Sequence, residues 1–403
     1  MTTVILLLDA FSGQYVSKEI APGLFELAQK GIFYPQVKQS AGYCERSEVT
    51  TGHSSQMNGY LTAIGLNKRN NQFSRFHRAL VILGKLEKII SVLGLQIVTS
   101  RLRKFLFLVF KRLSQNITLK PYNIPLGILS YFELTEDKYE LWESISPNGQ
   151  NIFQQITESG NRYSIELFTS LRNEKELSTS EKLSSLEKML KSNYHGAIFV
   201  YIADTDIIAH KYGTKSDELR SAIKNLDAKI ARLVSSNQKN ARFVIFGDHG
   251  MLDIETTMDI GKIVHEKAKT FKLKHRKDYL LFLDSTIFRL WFIRKSPEID
   301  QFYADIMSEE VFLMNGEFEV ASKNSFGQEY GDLRWYASAG VLIYPDYFQG
   351  RTPYRAMHGY ETVDEAHMGM CIVYGSGVEP KREKAIPLYE IYNVILSNVR
   401  GLR

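Results

Sequence analysis

Short runs of Val, Ile, Leu and Phe recur along the chain without polar alternation: Val4–Leu8, Ala197–Ile202, Phe243–Phe246 and Met370–Tyr374. A strand that does not alternate is covered on both faces, which is the pattern of parallel strands flanked by helices. Between these runs, Ser180–Lys191 and Ser216–Ser235 carry apolar residues at helical spacing. The alternation predicts an α/β fold, a doubly wound and mostly parallel sheet with helices on both faces. In such sheets ligands bind beyond the carboxyl ends of the strands.

Two stretches interrupt this rhythm. The first runs from about Ser74 to Tyr139. Its segment Arg78–Arg112 is apolar, yet it carries Arg78, Lys85, Lys88, Arg101, Arg103, Lys104, Lys111 and Arg112 against Glu87 alone. No uncharged run there approaches the ~20 residues of a membrane span. Two readings fit: basic amphipathic helices lying on an anionic bilayer, or a helical cap with solvated cations. The second stretch, about His265 to Arg355, is rich in Phe, Tyr and Trp and has turn signals at Asn315-Gly316 and Tyr330-Gly331-Asp332, which predicts an α+β insertion. The organisation expected is therefore core 1–75, basic helical insertion 76–140, core 141–264, a cap insertion over 265–350 and core 351–403.

Composition adds three constraints. The 403 residues are 44% hydrophobic and 24% charged, as in an ordinary globular protein. The two cysteines, Cys44 and Cys371, exclude a disulfide framework and a cysteine-type structural zinc site, and they fit a reducing compartment. The opening Met1-Thr2-Thr3 lacks a basic n-region and the apolar run after it ends in Asp9, so it reads as a first strand rather than a signal peptide. A cytoplasmic location is expected, with peripheral attachment to the inner face of the membrane if the basic helices bind lipid. The net charge of +5 is mild, and no nucleic-acid polymer is expected as a partner.

The candidate chemistry lies at the strand ends. Asp9 closes the first run, Asp206 and His210 follow the second, Asp248 and His249 follow the third, and His358 comes late in the chain. Singly, an Asp at a strand end is usually a helix N-cap and a lone His a satisfied residue. Six such groups at strand ends suit a two-metal site, in which cations roughly 4 Å apart hold the attacking and leaving oxygens of a phosphoryl transfer. Asp206 and His210, four apart, share one face of a helical turn. Imidazole and carboxylate together favour zinc, with manganese second, over the oxygen-preferring magnesium and calcium. His53, His77, His195, His265, His275 and His367 have no comparable setting.

These segments resemble the alkaline phosphatase superfamily and, within it, the type I phosphodiesterase/nucleotide pyrophosphatase family. The motifs that carry the resemblance are Asp9, Thr51-Gly52, Asp206-Ile207-Ile208-Ala209-His210-Lys211-Tyr212-Gly213, Asp248-His249-Gly250-Met251 and His358-Gly359-Tyr360, in family order. The resemblance implies an alkaline phosphatase-like fold with two inserted cap regions. It also implies two divalent ions, one held by Asp206, His210 and His358, the other by Asp9, Asp248 and His249 with a nucleophile. Family members attack phosphorus with a metal-activated Thr or Ser at a helix N-terminus.

The nucleophile loop departs from the pattern. The expected position, ten residues before Gly52, is Gly42. A shift of two residues offers Cys44, a thiol that binds zinc well, or Ser40, a hydroxyl of the usual kind. Cys44 could equally be a small buried apolar residue. Arg46 could contact a phosphate as a bidentate partner, or pair with Glu45 or Glu48 at the surface. The function expected is a metal-dependent hydrolase of phosphodiester or pyrophosphate bonds, acting on a lipid-linked or nucleotide-sugar substrate. The alternatives are a transferase to a glycan or lipid acceptor and an inactive homologue that binds metal or phosphate.

Overall fold

The computed structural model describes residues 1–68, 71–93, 96–113, 122–135, 151–168, 177–192, 194–322, 326–361 and 364–400. The boundary expected near residue 140 lies outside them. The central sheet is built from β1 (Thr2–Leu8), β2 (Ile32–Lys38), β3 (Tyr163–Leu167), β4 (Gly196–Ile202) and β5 (Ala241–His249), with later strands described below. Every residue of β1 and β4 is buried, as their unbroken apolar runs require. Successive side chains of a strand point to opposite faces, and the two cores divide accordingly. Val4, Leu6, Ile198, Val200, Phe243 and Ile245 pack on one side against α1 (Pro22–Lys30) and a long helix at Asp217–Asn237. Ile5, Leu7, Ala197, Phe199, Val244 and Phe246 pack on the other side against helices at Ile152–Glu158 and Ile391–Arg400.

Strands β3, β4, β1 and β5 are mutually parallel in that order. The cap insertion then contributes β6 (Tyr279–Leu283), β7 (Ile287–Phe292), β8 (Gly316–Val320) and β9 (Leu333–Ala337), an antiparallel sheet in the order β6-β7-β9-β8. The chain returns to the core as β10 (Met368–Gly375), which holds the fourth apolar run. That run was expected to be parallel. It is antiparallel to both β5 and β2, with Met368 opposite His249. The reason is topological: the chain comes back from the cap at the end of the sheet where β5 finishes, so its next strand must run backwards. The sheet remains mostly parallel.

The basic insertion forms α2 (His77–Val92) and α3 (Gln96–Leu113). Its ends are closed by the antiparallel pairing of Ile64–Leu66 with Phe132–Leu134. The two insertions share one core, in which Phe73, Leu80, Phe110, Leu126 and Phe132 pack with Phe282, Leu290 and Trp291. They therefore form a single cap over one end of the sheet. Arg289, fully buried, ties the second insertion to the base of the first. It donates to both oxygens of Asp284 at 2.8 and 3.3 Å and to the Ile64 carbonyl at 2.6 Å.

Candidate active site

Parallel pairing puts the ends of β1, β4 and β5 side by side, since Leu8 faces Ile202 and Leu7 faces Phe246. Asp9 and Asp206, beyond the ends of β1 and β4, and Asp248, at the end of β5 just past its apolar run, consequently meet. Asp206 and His210 stand one turn apart on α4 (Asp204–Tyr212), with His210 Nε2 3.1 Å from Asp206 Oδ1. His249 Nε2 lies 3.2 Å from Asp9 Oδ1 and 3.7 Å from Asp248 Oδ1. His358 comes back from the cap and stacks on His249 with ring centroids 3.9 Å apart. Its Nε2 is 3.8 Å from Asp206 Oδ1. All six residues thus surround one cavity of about 410 Å³ between sheet and cap.

The imidazoles are oriented from behind. His210 Nδ1 donates to the Ala356 carbonyl and His249 Nδ1 to the Gly250 carbonyl, each at 2.9 Å. A carbonyl can only accept, so both rings carry a proton on Nδ1 and turn Nε2 inward toward the carboxylates, the orientation a metal ligand needs. Asp248 is fixed by the backbone N–H groups of Ala10 and His249, and Asp9 by the Tyr201 hydroxyl.

Three groups of side chains bring ligand atoms close enough to hold a metal ion: Asp9, Asp248 and His249; Asp206, His210 and His358; and Glu45, His249 and His358. Burial, offset by His249 and reinforced by Asp248 and Asp9, pushes the Glu45 carboxyl up to about 8. Burial likewise raises Asp248 to about 7. Burial, aided by His249 and His210, drives His358 well below its ordinary value. Glu45 Oε1, Asp206 Oδ1 and His358 Nδ1 are buried without a hydrogen-bond partner. Asp9 goes the other way from Glu45 and Asp248: against its burial, His249 and the Tyr201 hydroxyl hold it below the ordinary carboxylate value. Clustered carboxylate and imidazole atoms of this kind are the ligand types that divalent cations take. The residues present fit divalent cations.

Neither expected nucleophile faces this cavity. Cys44 is 1% exposed, its thiol lies 3.8 Å from the Ala41 carbonyl, and burial raises its pKa well above normal, so it is a buried apolar filler. Ser40 Oγ donates to Glu48, which also accepts from the Ser55 N–H. Gly42 adopts φ +105°, and a Cβ there would fall 2.6 Å from the Leu61 carbonyl oxygen, so the loop is glycine for packing reasons. Arg46 does line the cavity, with its guanidinium 4.6 Å from the centroid of the Tyr201 ring. Its alternative as a surface partner of Glu48 is removed, because Glu48 is buried. His367 is buried beside Gln39 and outside the three ligand groups.

Glu45 lines the cavity although no motif in the sequence marks it. The signal that could have found it is helix phase: Glu45 is the first residue of the helix Glu45–Thr51, and Cys44 is its cap. Tyr43, Tyr122, Phe348 and Tyr354 also line the cavity and had no local motif; Tyr354 stacks on His210 at 4.4 Å.

Fold and site together define a hydrolase of the alkaline phosphatase type. The sequence model of the type I phosphodiesterase / nucleotide pyrophosphatase family matches residues 141–331, a span that holds Asp206, His210, Asp248 and His249. Over that span the chain is similar to the family. The whole chain superposes on murine ectonucleotide pyrophosphatase / phosphodiesterase 5 with a TM-score of 0.67 at 12% identity, covering 96% of that protein. An inactive variant of the murine protein in complex with AMP gives 0.66 at 12% identity, with 100% of this chain and 95% of that one covered. The human counterpart gives 0.65 at 12% identity, covering 100% of this chain and 99% of that one. At this identity the likeness is one of fold. No curated protein matches the sequence significantly.

Proposed function

We propose that this hydrolase cleaves phosphodiester or pyrophosphate bonds with two divalent cations, zinc in preference to manganese. The supporting observation is the sharing of His249 and His358 among the three ligand groups, which makes them one binuclear pocket rather than separate acidic clusters. Bound cations would polarise the phosphoryl oxygens and stabilise the leaving oxygen. Asp9, Asp248 and His249 would hold one, and Asp206, His210 and His358 the other. Arg46 lies where its planar fork can bind a non-bridging oxygen, and the Tyr122, Phe348 and Tyr354 rings form an apolar wall for the rest of the substrate. The test is metal analysis of the purified protein together with turnover of a bis-aryl phosphodiester. About two zinc per chain and loss of turnover in Asp248→Ala are expected. A protein that stays metal-free under saturating zinc and manganese would refute the reading.

The substrate is proposed to be lipid-linked and met at an anionic membrane surface, on the cytoplasmic side. Among the described residues no helix is long and apolar enough to cross a membrane. On α2, however, Ile82, Leu86, Ile89 and Leu93 are exposed at helical spacing, and on α3 Phe105, Leu108 and Leu113 are exposed too. The cations Arg78, Lys85, Lys88, Arg101, Lys104, Lys111 and Arg112 are exposed on the same helices. Glu87, the acid that would offset them, is buried in a 2.5 Å ion pair with Arg103 and an acceptor for the Leu126 N–H. Apolar residues flanked by cations without exposed acids match an anionic bilayer. Flotation with anionic vesicles is expected for the wild type and is expected to be lost in the Ile89→Glu/Leu108→Glu variant. Equal recovery of both proteins would reject membrane docking.

A further inference from the structure

Among the described residues that line the cavity, the Thr62, Ser285, Tyr43 and Tyr201 hydroxyls are engaged with protein partners, and no thiol stands between the Asp9/Asp248/His249 and Asp206/His210/His358 groups. Thr62 donates to the Ile64 carbonyl, Ser285 to Asp346, Tyr201 to Asp9, and Tyr43 is bonded to Thr286. What stands there is Glu45. Its ligand group shares His249 with one triad and His358 with the other. Its Oε1 is 3.5 Å from His358 Nδ1 and makes no hydrogen bond.

Local structure explains why this side chain points inward. Gly42 N–H donates to the Gly359 carbonyl at 3.0 Å and Tyr43 N–H to the Leu61 carbonyl at 2.9 Å, which pins the loop beside His358. The helix then begins, and one helical step turns the next side chain by about 100°. Cys44 therefore points into the protein and Glu45 into the cavity.

We propose that Glu45 is a seventh ligand, a carboxylate that joins the two cation sites, and that this protein forms no phospho-enzyme. This rests on the metal-dependent reading above. Acidic oxygen is a good ligand for zinc and manganese, and a carboxylate has two oxygens to offer to two ions. With the position taken by a ligand, the incoming oxygen belongs to water or to an acceptor hydroxyl. Its new bond to phosphorus forms as the ester P–O bond breaks, and its proton ends on the departing oxygen. One enzyme with this site hydrolyses its substrate when water enters and transfers the phosphoryl group when an alcohol does.

A competing role for Glu45 is to accept a hydrogen bond from His358 Nδ1–H and merely orient that ring. Glu45→Gln separates the two, because an amide oxygen still accepts a hydrogen bond but is a poor ligand. Zinc titration by calorimetry is expected to show two ions bound by the wild type and at least a tenfold weaker second ion in Glu45→Gln. A wild type with two ions and a folded Glu45→Gln with the same two affinities would overturn this inference alone. A wild type that binds no zinc would overturn it together with the reading it rests on. Two further measurements use the wild type, so they do not depend on the variant folding. Anomalous diffraction from zinc-soaked crystals should place Glu45 oxygens about 2.0–2.2 Å from both ions; a carboxylate turned away from them refutes the role. Rapid-quench mass spectrometry during turnover should find unmodified protein. A phosphoryl adduct on any residue, Glu45 included, refutes direct attack.

Discussion

At the residue scale the loop at 40–46 shows how little a spacing rule says about a side chain's direction. Gly42 stands where the family spacing calls for a nucleophile, but its left-handed φ and the Leu61 carbonyl behind it exclude a side chain. Gly42→Thr would restore the hydroxyl on paper. The expected result is no gain in turnover and a loss of about 1–3 kcal/mol in denaturant unfolding, from the strain and the overpacking. His275 carries a second prediction at this scale. Burial, helped by the charges of His265, Arg276 and Lys88, lowers it to about 3, and its Nε2 accepts from the Leu281 N–H. A folded-state value below the unfolded value of about 6.5 means that the unfolded chain binds the extra proton. The stability it supports is complete above about pH 6.5 and falls as pH drops toward 3. Urea melts should lose about 2 kcal/mol from this group between pH 7 and 5, and His275→Gln should show a correspondingly smaller loss. Identical pH slopes for the two proteins would refute the assignment.

At the element scale the cap depends on the turn between β6 and β7. Asp284 and Ser285 line the cavity there, and Arg289 on β7 holds Asp284 in a fork-to-fork pair with both partners out of solvent. Burial raises Asp284 to about 6 even with Arg289 beside it. Removing one partner of such a pair leaves a buried charge, which typically costs about 3–5 kcal/mol. Arg289→Met should destabilise the protein by that amount in chemical denaturation. Asp284→Asn in the same background should recover much of the loss, because it removes the charge left behind. If the double variant is no more stable than Arg289→Met, the pair is not what fixes this turn. The strands below the cap behave more simply. β1 and β4 were legible as fully buried strands because nothing in Val4–Leu8 or Ala197–Ile202 could face water. β10 was legible as a strand and not in direction, since an apolar run has no polarity of its own.

At the scale of the whole molecule, two insertions separated by the core segment 141–264 fold into one cap. This joins the cationic apolar helices α2 and α3 to the cavity wall, because Tyr122 follows α3 and Leu126 is held by Glu87 of α2. A docked hairpin would bring the cavity mouth near a bilayer. Lipid-linked diesters presented in anionic vesicles should therefore be cleaved faster than the same diesters in neutral detergent micelles. The Ile89→Glu/Leu108→Glu variant should lose that advantage and keep its rate on a soluble aryl diester. Loss of both rates in the double variant would place these residues in folding rather than docking.

The sequence by itself determined the parallel core and the six groups at its edge. Buried strands announce themselves by composition, and the first polar residue after each of them, Asp9 or Asp248, must emerge at the sheet's carboxyl end. Only the tertiary structure decided which neighbour in Tyr43-Cys44-Glu45 enters the cavity, which way β10 runs, and that the two insertions are one body. Those outcomes depend on helix phase, on where the chain re-enters the sheet and on contacts between distant segments, and none of them is written in a local pattern of residues.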